Sequence, residues 1–220
     1  MPKITGIETA KRRSGWVEIQ LDGASSFLLP QDTLLALGLS GGDVLEDAEV
    51  RRLESEAERA EAMRIALRYL SVRPRSRREL ADRLREKGVG GAAGDHVLRR
   101  CEELGYLDDV AFAAAYARDR IRLRPCGRRR LMSDLRRNGV SETDATRGIA
   151  AAMDEERVDE PMLLDRVARA RVSRLSGVAP EVAGRRLFAF LARRGFDASG
   201  IRAWIDAELD ITEEPTQEGR

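Results

Sequence analysis

The sequence predicts a mainly α protein: tandem three-helix repeats in an extended array, preceded by a small β-containing N-terminal module. The first observation behind this is a segment written three times, at Arg77–Val89, Arg128–Val140 and Gly184–Phe196. Its anchors Leu80, Leu131 and Leu187 are 51 and 56 residues apart, and Gly88, Gly139 and Gly195 keep the same spacing. A period of this length marks an array of similar units, which offers a partner an extended surface rather than a single pocket. The second is composition: charged residues make up 35% and aromatics only 5%, so each unit buries mostly Leu, Ala, Val and Ile. The third is that strand-like alternation is confined to residues 3–45.

In chain order, Ile4, Ile7 and Thr9 lead to a turn at Ser14-Gly15, and Trp16 to Leu21 alternates as a strand does. Asp22-Gly23 is a turn signal before a strand at Phe27-Leu28-Leu29. Pro30-Gln31-Asp32 opens a short helix through Leu37 that Gly38 ends, and Val44-Leu45 is expected to close the sheet. So short a module is expected to lean on the helix that follows. That helix runs from Asp47 to Leu70, with apolar residues at three- and four-residue spacing, and Pro74 stops it.

Ser76 with Glu79 makes a capping box for the first copy of the repeated helix, which Gly88 ends in the C′ position. Helices follow near Asp95–Leu104 and from Asp108 to Ile121. The second unit repeats the plan: a helix at 127–138, Gly139, then Ser141 capping a helix to Met153, and Asp159-Glu160-Pro161 opening another. Gly105 to Asp109 aligns with Glu156 to Glu160 at the same offset of 51, so the period covers three helices. The third unit shows two helices from Val182 to Leu209. The expected divisions are 1–46 for the β-containing module, 47–122 for the long helix and first repeat, 123–176 for the second, and 177–209 for a partial third. An acidic tail at 210–220 is expected to be disordered.

Bulk properties exclude several classes. No apolar run approaches the ~20 residues of a membrane span. The N-terminus lacks the apolar stretch of a secretion signal. Cys101 and Cys126 show no metal-type spacing, and a reduced, cytoplasmic protein without cofactor or metal is expected. Enzyme chemistry finds no candidates. The one histidine, His96, reads as a partly exposed structural residue of an amphipathic helix. Leu39 to Asp43 is a turn rather than a Walker-type loop. Asp108-Asp109 reads as a helix cap before a metal site, and Cys101 as core before nucleophile.

Charge is distributed unevenly along the chain. Residues 1–56 hold 6 Lys/Arg against 10 Asp/Glu, residues 57–205 hold 32 against 22, and residues 206–220 hold 1 against 6. Of the central bases, 31 are Arg, the side chain suited to bidentate phosphate and carboxylate contacts. A basic middle between acidic ends points to a polyanionic or acidic partner for the middle alone.

At about 100° per residue, Leu131 and Leu135 point inward together. Arg129 and Arg136 then share one outer row and Arg130 and Arg137 another. In the first copy the rows are Arg78 and Arg85, then Glu79 and Glu86; in the third they are Arg185 and Ala192, then Arg186 and Arg193. The first row is basic at its leading position in every copy, and Arg128 and Arg194 adjoin the rows. A solvated face of i,i+4 ion pairs and a binding surface are both open for the first copy. In the second, where acids are sparse, a binding surface is favoured. Tyr106, Phe112, Tyr116, Phe188, Phe190 and Phe196 flank core positions and are expected to be mostly buried. That argues against a base-stacking platform and for backbone or protein contacts.

Taken together in order, these motifs resemble the bacterial RecX family of recombination regulators. The family pattern combines a Ser-Arg/Lys-x-x-Leu helix, a Gly-Tyr-Leu-(Asp/Asn)-Asp turn followed by Phe-Ala, and a Gly-x-x-Arg-(Leu/Ile)-x-x-x-Leu helix before Gly-Val. Here these are Ser76 to Leu80, Gly105 to Asp109 with Phe112-Ala113, and Gly127 to Leu131 with Leu135 and Gly139-Val140. The resemblance covers about residues 57–207 of the chain. It implies a curved modular array that regulates the RecA recombinase from the groove of the RecA–DNA filament. By that analogy the family dampens ATP hydrolysis, strand exchange and coprotease activity in recombination and the SOS response, without catalysis of its own. The chain departs from the pattern in its N-terminal module, absent from shorter members, and in Cys126, where a small residue or proline is common.

The expected partner is therefore the RecA filament, with contact to a single- or double-stranded DNA backbone left open. The expected contact residues are Arg78, Arg85, Arg128, Arg129, Arg130, Arg136, Arg137, Arg185, Arg186, Arg193 and Arg194. No membrane partner is expected, and a monomer is, because the units bury their faces on one another. The competing expectation is a nucleic-acid-binding protein whose units act as helix-turn-helix modules in a groove.

Overall fold

The computed structural model describes residues 1–22 and 26–209. Gly23 of the expected Asp22-Gly23 turn and the acidic tail at 210–220 lie outside the described residues. The chain divides into two compact units, Met1–Asp108 and Asp109–Arg220.

The first unit begins with β1 (Ile4–Thr9), β2 (Trp16–Leu21) and β3 (Ser26–Pro30), an antiparallel sheet in the order β1-β2-β3. Ile19 pairs with Ile7 on one side and Phe27 on the other. Alternation does what its period requires: Val17, Ile19 and Leu21 are buried on one face with Ile4 and Leu29. The helix α1 (Gln31–Leu37) covers part of this core through Leu34, and Gly38 ends it in the left-handed region, φ 68°. Val44 does not extend the sheet as a strand. It makes one isolated bridge to Lys3, while Leu45 turns into the core at 1% exposure.

The long helix α2 (Asp47–Leu70) starts at a capping box between Glu46 and Glu49. It serves two cores. Leu53 is buried with the sheet, so the module does rest on the helix that follows it, whereas Ala62 and Ala66 are buried with Leu80, Leu84, Val97, Leu98, Cys101 and Leu107. Small residues in this second stretch let α3 (Arg77–Glu86) and α4 (Gly91–Glu103) lie against α2. Ser76 accepts a hydrogen bond from the Glu79 N–H at 3.1 Å, and the Glu79 carboxylate accepts from the Ser76 N–H at 3.1 Å. The expected capping box is therefore formed. The helix α4 begins one turn before the expected Asp95, at Gly91.

The second unit is all helix: α5 (Asp109–Leu123), α6 (Arg128–Arg137), α7 (Glu142–Glu155), α8 (Glu160–Val172), α9 (Pro180–Arg193) and α10 (Ala198–Glu208). One core runs through it, from Phe112, Ala113, Ala117 and Ile121 through Leu131, Leu135 and Ile149 to Leu187, Leu191, Phe196 and Ile201. The longest helix contact in the unit is α5 against α7. Ser141 caps α7 through the Asp144 N–H at 3.0 Å, and Asp159 caps α8 through the Met162 N–H at 2.8 Å.

The phase of the repeat differs from the division expected at 122/123. Packing groups α2, α3 and α4 in the first unit, and α5, α6 and α7, then α8, α9 and α10, in the second. Each triplet thus begins one helix earlier, and the third is complete rather than partial. Sequence spacing gives the length of a period but not where it starts. The apolar faces of α5 and α8 decide that, by burying with the two helices that follow them.

Candidate functional site

The repeated helices carry their leucines inward as the 100° arithmetic requires. Leu80 and Leu84 on α3, Leu131 and Leu135 on α6, and Leu187 and Leu191 on α9 are all buried, the most exposed of them at 1%. The arginines of both rows consequently face outward, but the two rows meet different surroundings.

On α3 and α6 the first row is paired with acids. On α3, Arg78 lies 4.0 Å from Asp82, and Arg85 bonds the same carboxylate. On α6, Arg129 bonds Asp197 at 2.6 Å and Arg136 bonds Glu142 at 3.3 Å. Those acids come from the cap of α10, 68 residues from Arg129, and from the start of α7, 6 residues from Arg136. The Arg128 backbone N–H donates to Glu160 at 3.1 Å. The sparse acids of the α6 sequence are thus supplemented by tertiary ones. On α9, Arg185 and Arg186 are exposed, and among the described residues no acid pairs with them.

Arg130 and Arg193 of the second row turn toward a basic trough built by the C-terminal ends of α5, α8 and α9 and the start of α6. Two adjoining cavities of about 350 and 560 Å³ share Arg124, Phe190 and Arg194. Arg130 on α6 and Arg193 on α9 line the smaller, and Arg166, Arg171 and Arg174 of the α8 end line the larger. Carbonyl oxygens rather than carboxylates hold two of these guanidinium groups: Arg194 donates to the Pro125 oxygen at 3.1 Å, and Arg166 donates to the Ile121 oxygen. Arg171 and Arg194 stack over the Phe190 ring at 4.9 and 5.2 Å. Arg124, Arg174 and Arg193 have no acid partner among the described residues.

One acid organises the smaller cavity. Asp134, 3% exposed, receives Arg130 at 3.1 Å, Arg137, and the Tyr116 hydroxyl at 3.0 Å. Arg120 in turn donates to the Tyr116 oxygen at 2.7 Å. Burial pushes the Asp134 carboxyl up, but the Tyr116 hydrogen bond and the Arg130 and Arg137 guanidinium groups outweigh it, and the group ends below the ordinary carboxylate range. Burial pushes the Tyr116 hydroxyl and the Cys126 thiol up. A thiol so disposed is a core residue, not a nucleophile.

Of the residues expected from sequence to make contact, the fold brings Arg130, Arg193 and Arg194 into the trough and leaves Arg128, Arg129 and Arg136 on a separate, acid-bearing surface. Arg137 is drawn to Asp134. The residues that sequence reasoning missed are Arg120, Arg124, Arg166, Arg171 and Arg174. The period held a signal for two of them, since Arg120 and Arg171 are 51 residues apart. The aromatics divide more than expected: Phe112 and Phe196 are buried, Tyr116, Phe188 and Phe190 partly so, and Tyr106 is 56% exposed.

Two family models match the chain, the first three-helix domain of RecX at residues 62–101 and the second at 108–149. Both follow the helix triplets as packing phases them. A regulatory protein RecX of Thermobifida fusca is 34% identical over 154 residues, covering 69% of this chain and 80% of that protein. The chain belongs to the RecX family. A second relative, the regulatory protein RecX of Lacticaseibacillus casei, is 29% identical over 99% of this chain and 81% of its own length, so the family likeness extends through the N-terminal module. In fold, a crystal structure of regulatory protein RecX superposes with a TM-score of 0.76 at 24% identity, covering 94% of this chain and all of that one. Membership makes this a regulatory protein by family. No helix among the described residues is long and apolar enough to cross a membrane.

Proposed function

We propose that this chain regulates the RecA recombinase, mainly as an inhibitor, by lying in the groove of the RecA–DNA filament. It acts there as a cytoplasmic monomer, without cofactor or chemistry of its own, and lowers ATP hydrolysis, strand exchange and coprotease activity during recombination and the SOS response. The observation that carries this reading is the arginine surface of the second unit: the outward arginines of α6 and α9, together with a trough that gathers further arginines around one acid, Asp134, in a chain of a regulatory family. Contacts of this kind, repeated on successive filament subunits, gain avidity although each is modest. Arg78 and Arg85 on the first unit, and Arg128, Arg129, Arg136, Arg137, Arg185 and Arg186 on the second, are assigned to protein contacts along the filament. The deciding measurement is ATP hydrolysis by preformed RecA filaments at substoichiometric amounts of this protein. Inhibition is expected. No inhibition, together with tight sequence-specific binding to duplex DNA, would overturn the reading.

A second reading is favoured by the unpaired Arg124, Arg174 and Arg193: a helical protein acting directly on DNA through phosphate contacts. Its signature is binding that weakens steeply with salt in the absence of recombinase.

A further inference from the structure

We propose that the cleft between α2 and α3 in the first unit is a docking site for an acidic protein segment that carries a bulky apolar side chain. The proposal goes beyond the regulator reading and uses none of the arginines which that reading assigns to the filament.

The cleft, of about 610 Å³, runs along one face of α2, where Glu61, Ile65, Arg68 and Tyr69 recur at three- and four-residue spacing. Arg83 and Lys87, at the C-terminal end of α3, form its other side. Its floor is apolar. Ile65, Tyr69 and Val89 pack on the core that holds Ala62, Ala66, Leu80 and Leu84, and Val72, just beyond α2, lines the same cleft at 76% exposure. Single apolar residues scattered over a surface mean little, but four lining one concavity are of the contiguous kind that marks an interaction site.

The rim is cationic, with Arg64, Arg68, Arg83 and Lys87. Glu61, the one acid of the lining, is already held by Arg64 at 2.6 Å and by Arg13 at 2.8 Å. Arg83 bonds Glu86 at 2.9 Å. Arg68 and Lys87 have no acid partner among the described residues. Both stand at helix ends, Arg68 in the last turn of α2 and Lys87 at the cap of α3, where the carbonyl end of a helix favours a cation. That accounts for the cations but not for the exposed apolar floor beside them. A segment that brings carboxylates together with an aliphatic or aromatic anchor satisfies both.

Tyr69 decides between ligand classes. Arg75 lies over its ring at 4.1 Å and Arg83 at 5.8 Å. A ring engaged by two guanidinium groups is a poor platform for a base, and the rest of the floor is aliphatic. The lining thus favours a protein segment over a nucleic-acid strand. Tyr and Arg are also the residue types enriched at protein interfaces, where they anchor a buried centre inside a polar rim.

The test measures anisotropy of a short labelled peptide, Glu and Asp around a central Leu-Phe pair, with the full-length protein and with neither recombinase nor nucleic acid present. Saturable binding is expected below about 1 mM peptide. R68S/K87S removes the two unpaired charges and is expected to bind about tenfold more weakly at low salt, with a smaller difference at high salt. V72D places a carboxylate on the floor and is expected to bind at least as weakly. R68K/K87R is expected to retain most binding. R78S/R85S, which removes equal charge from the outward row of α3, is expected to bind as wild type does. All these positions are exposed, so the fold is expected to persist, and circular dichroism checks it. No saturable binding, or equal losses in R68S/K87S and R78S/R85S, would overturn the site. Equal binding of a peptide with Ser in place of the Leu-Phe pair, or displacement of the peptide from Arg68 and Lys87 by an oligothymidylate, would overturn the ligand. Because no recombinase is present, a failed ATPase test leaves this result standing, and the reverse holds equally.

Discussion

Gly127 and Gly195 meet so closely that neither tolerates a side chain. A Cβ on Gly127 would lie 2.2 Å from the Gly195 oxygen, and one on Gly195 would lie 2.5 Å from the Arg130 Cβ. The Gly127 N–H donates to the Arg194 oxygen at 3.0 Å, so the start of α6 is joined directly to the end of α9. This junction sets Arg130 beside Arg193 and Arg194 and forms one wall of the trough. Gly127→Ala is expected to destabilise the protein by ~1–3 kcal/mol, the usual cost of overpacking, because backbone stands in the way and cannot swing aside. Urea unfolding measures it; a stability equal to wild type would refute the contact.

Asp134→Asn keeps the shape of the side chain and removes the charge that gathers Arg130, Arg137 and Tyr116. The loss is expected to be about 2 kcal/mol, the scale of a hydrogen bond to a charged group in a buried site. Oligonucleotide binding is expected to survive, since Arg130 regains freedom but keeps its charge. Chemical denaturation and anisotropy together check both halves.

Acid sensitivity follows from the same carboxyl. The folded-state affinity of Asp134 for protons lies below its unfolded value, as it does for Glu61 beside Arg64 and Arg13. Such groups contribute stability that is fully present above the unfolded pKa, about 4, and is lost as pH falls through the lower folded values. Stability measured from pH 6 downward is therefore expected to decline below about pH 4, and less steeply for Asp134→Asn than for wild type. Parallel curves would show that Asp134 carries none of the dependence.

Charge reversal of Arg129 and Arg136 tests the filament surface. Both are exposed, and their ion pairs with Asp197 and Glu142 are solvent-screened, so the fold is expected to persist. Inhibition of RecA ATP hydrolysis is expected to be lost in R129E/R136E. Full inhibition by a variant with an unchanged circular dichroism spectrum would remove these residues from the contact surface.

Ser76→Ala removes an N-cap that is wholly buried. A loss of about 1 kcal/mol is expected, typical of a helix cap. Thermal melting followed by circular dichroism reports it, and Ser76→Asp, which retains an acceptor, is expected to recover part of the loss.

The helices were largely legible because their signals are local. Ser76 with Glu79, Ser141, Asp159 with Pro161, and the glycines at 88, 139 and 195 act within a few residues of themselves, so reading them needs no knowledge of neighbours. The inward leucines and outward arginines follow from 3.6 residues per turn in the same way. Two features lay beyond a local reading for one reason. Dividing the repeat at 123 and finding acids sparse around the α6 rows both take account of sequence neighbours alone. In fact α5 packs with the helices after it, and Asp197 reaches Arg129 across 68 residues.

By itself, then, the sequence determined the helices, their periodicity, the β-containing module and the family, since these depend on backbone preference, side-chain period and motif order. Only the tertiary structure decided where each triplet begins and which arginines gather unpaired. Guanidinium groups from α5, α6, α8 and α9 become neighbours through the closeness of Gly127 to Gly195 and the burial of Ile121 and Leu191 in one core. Whether an arginine meets a carboxylate is a matter of distance in space, and a one-dimensional period does not contain it.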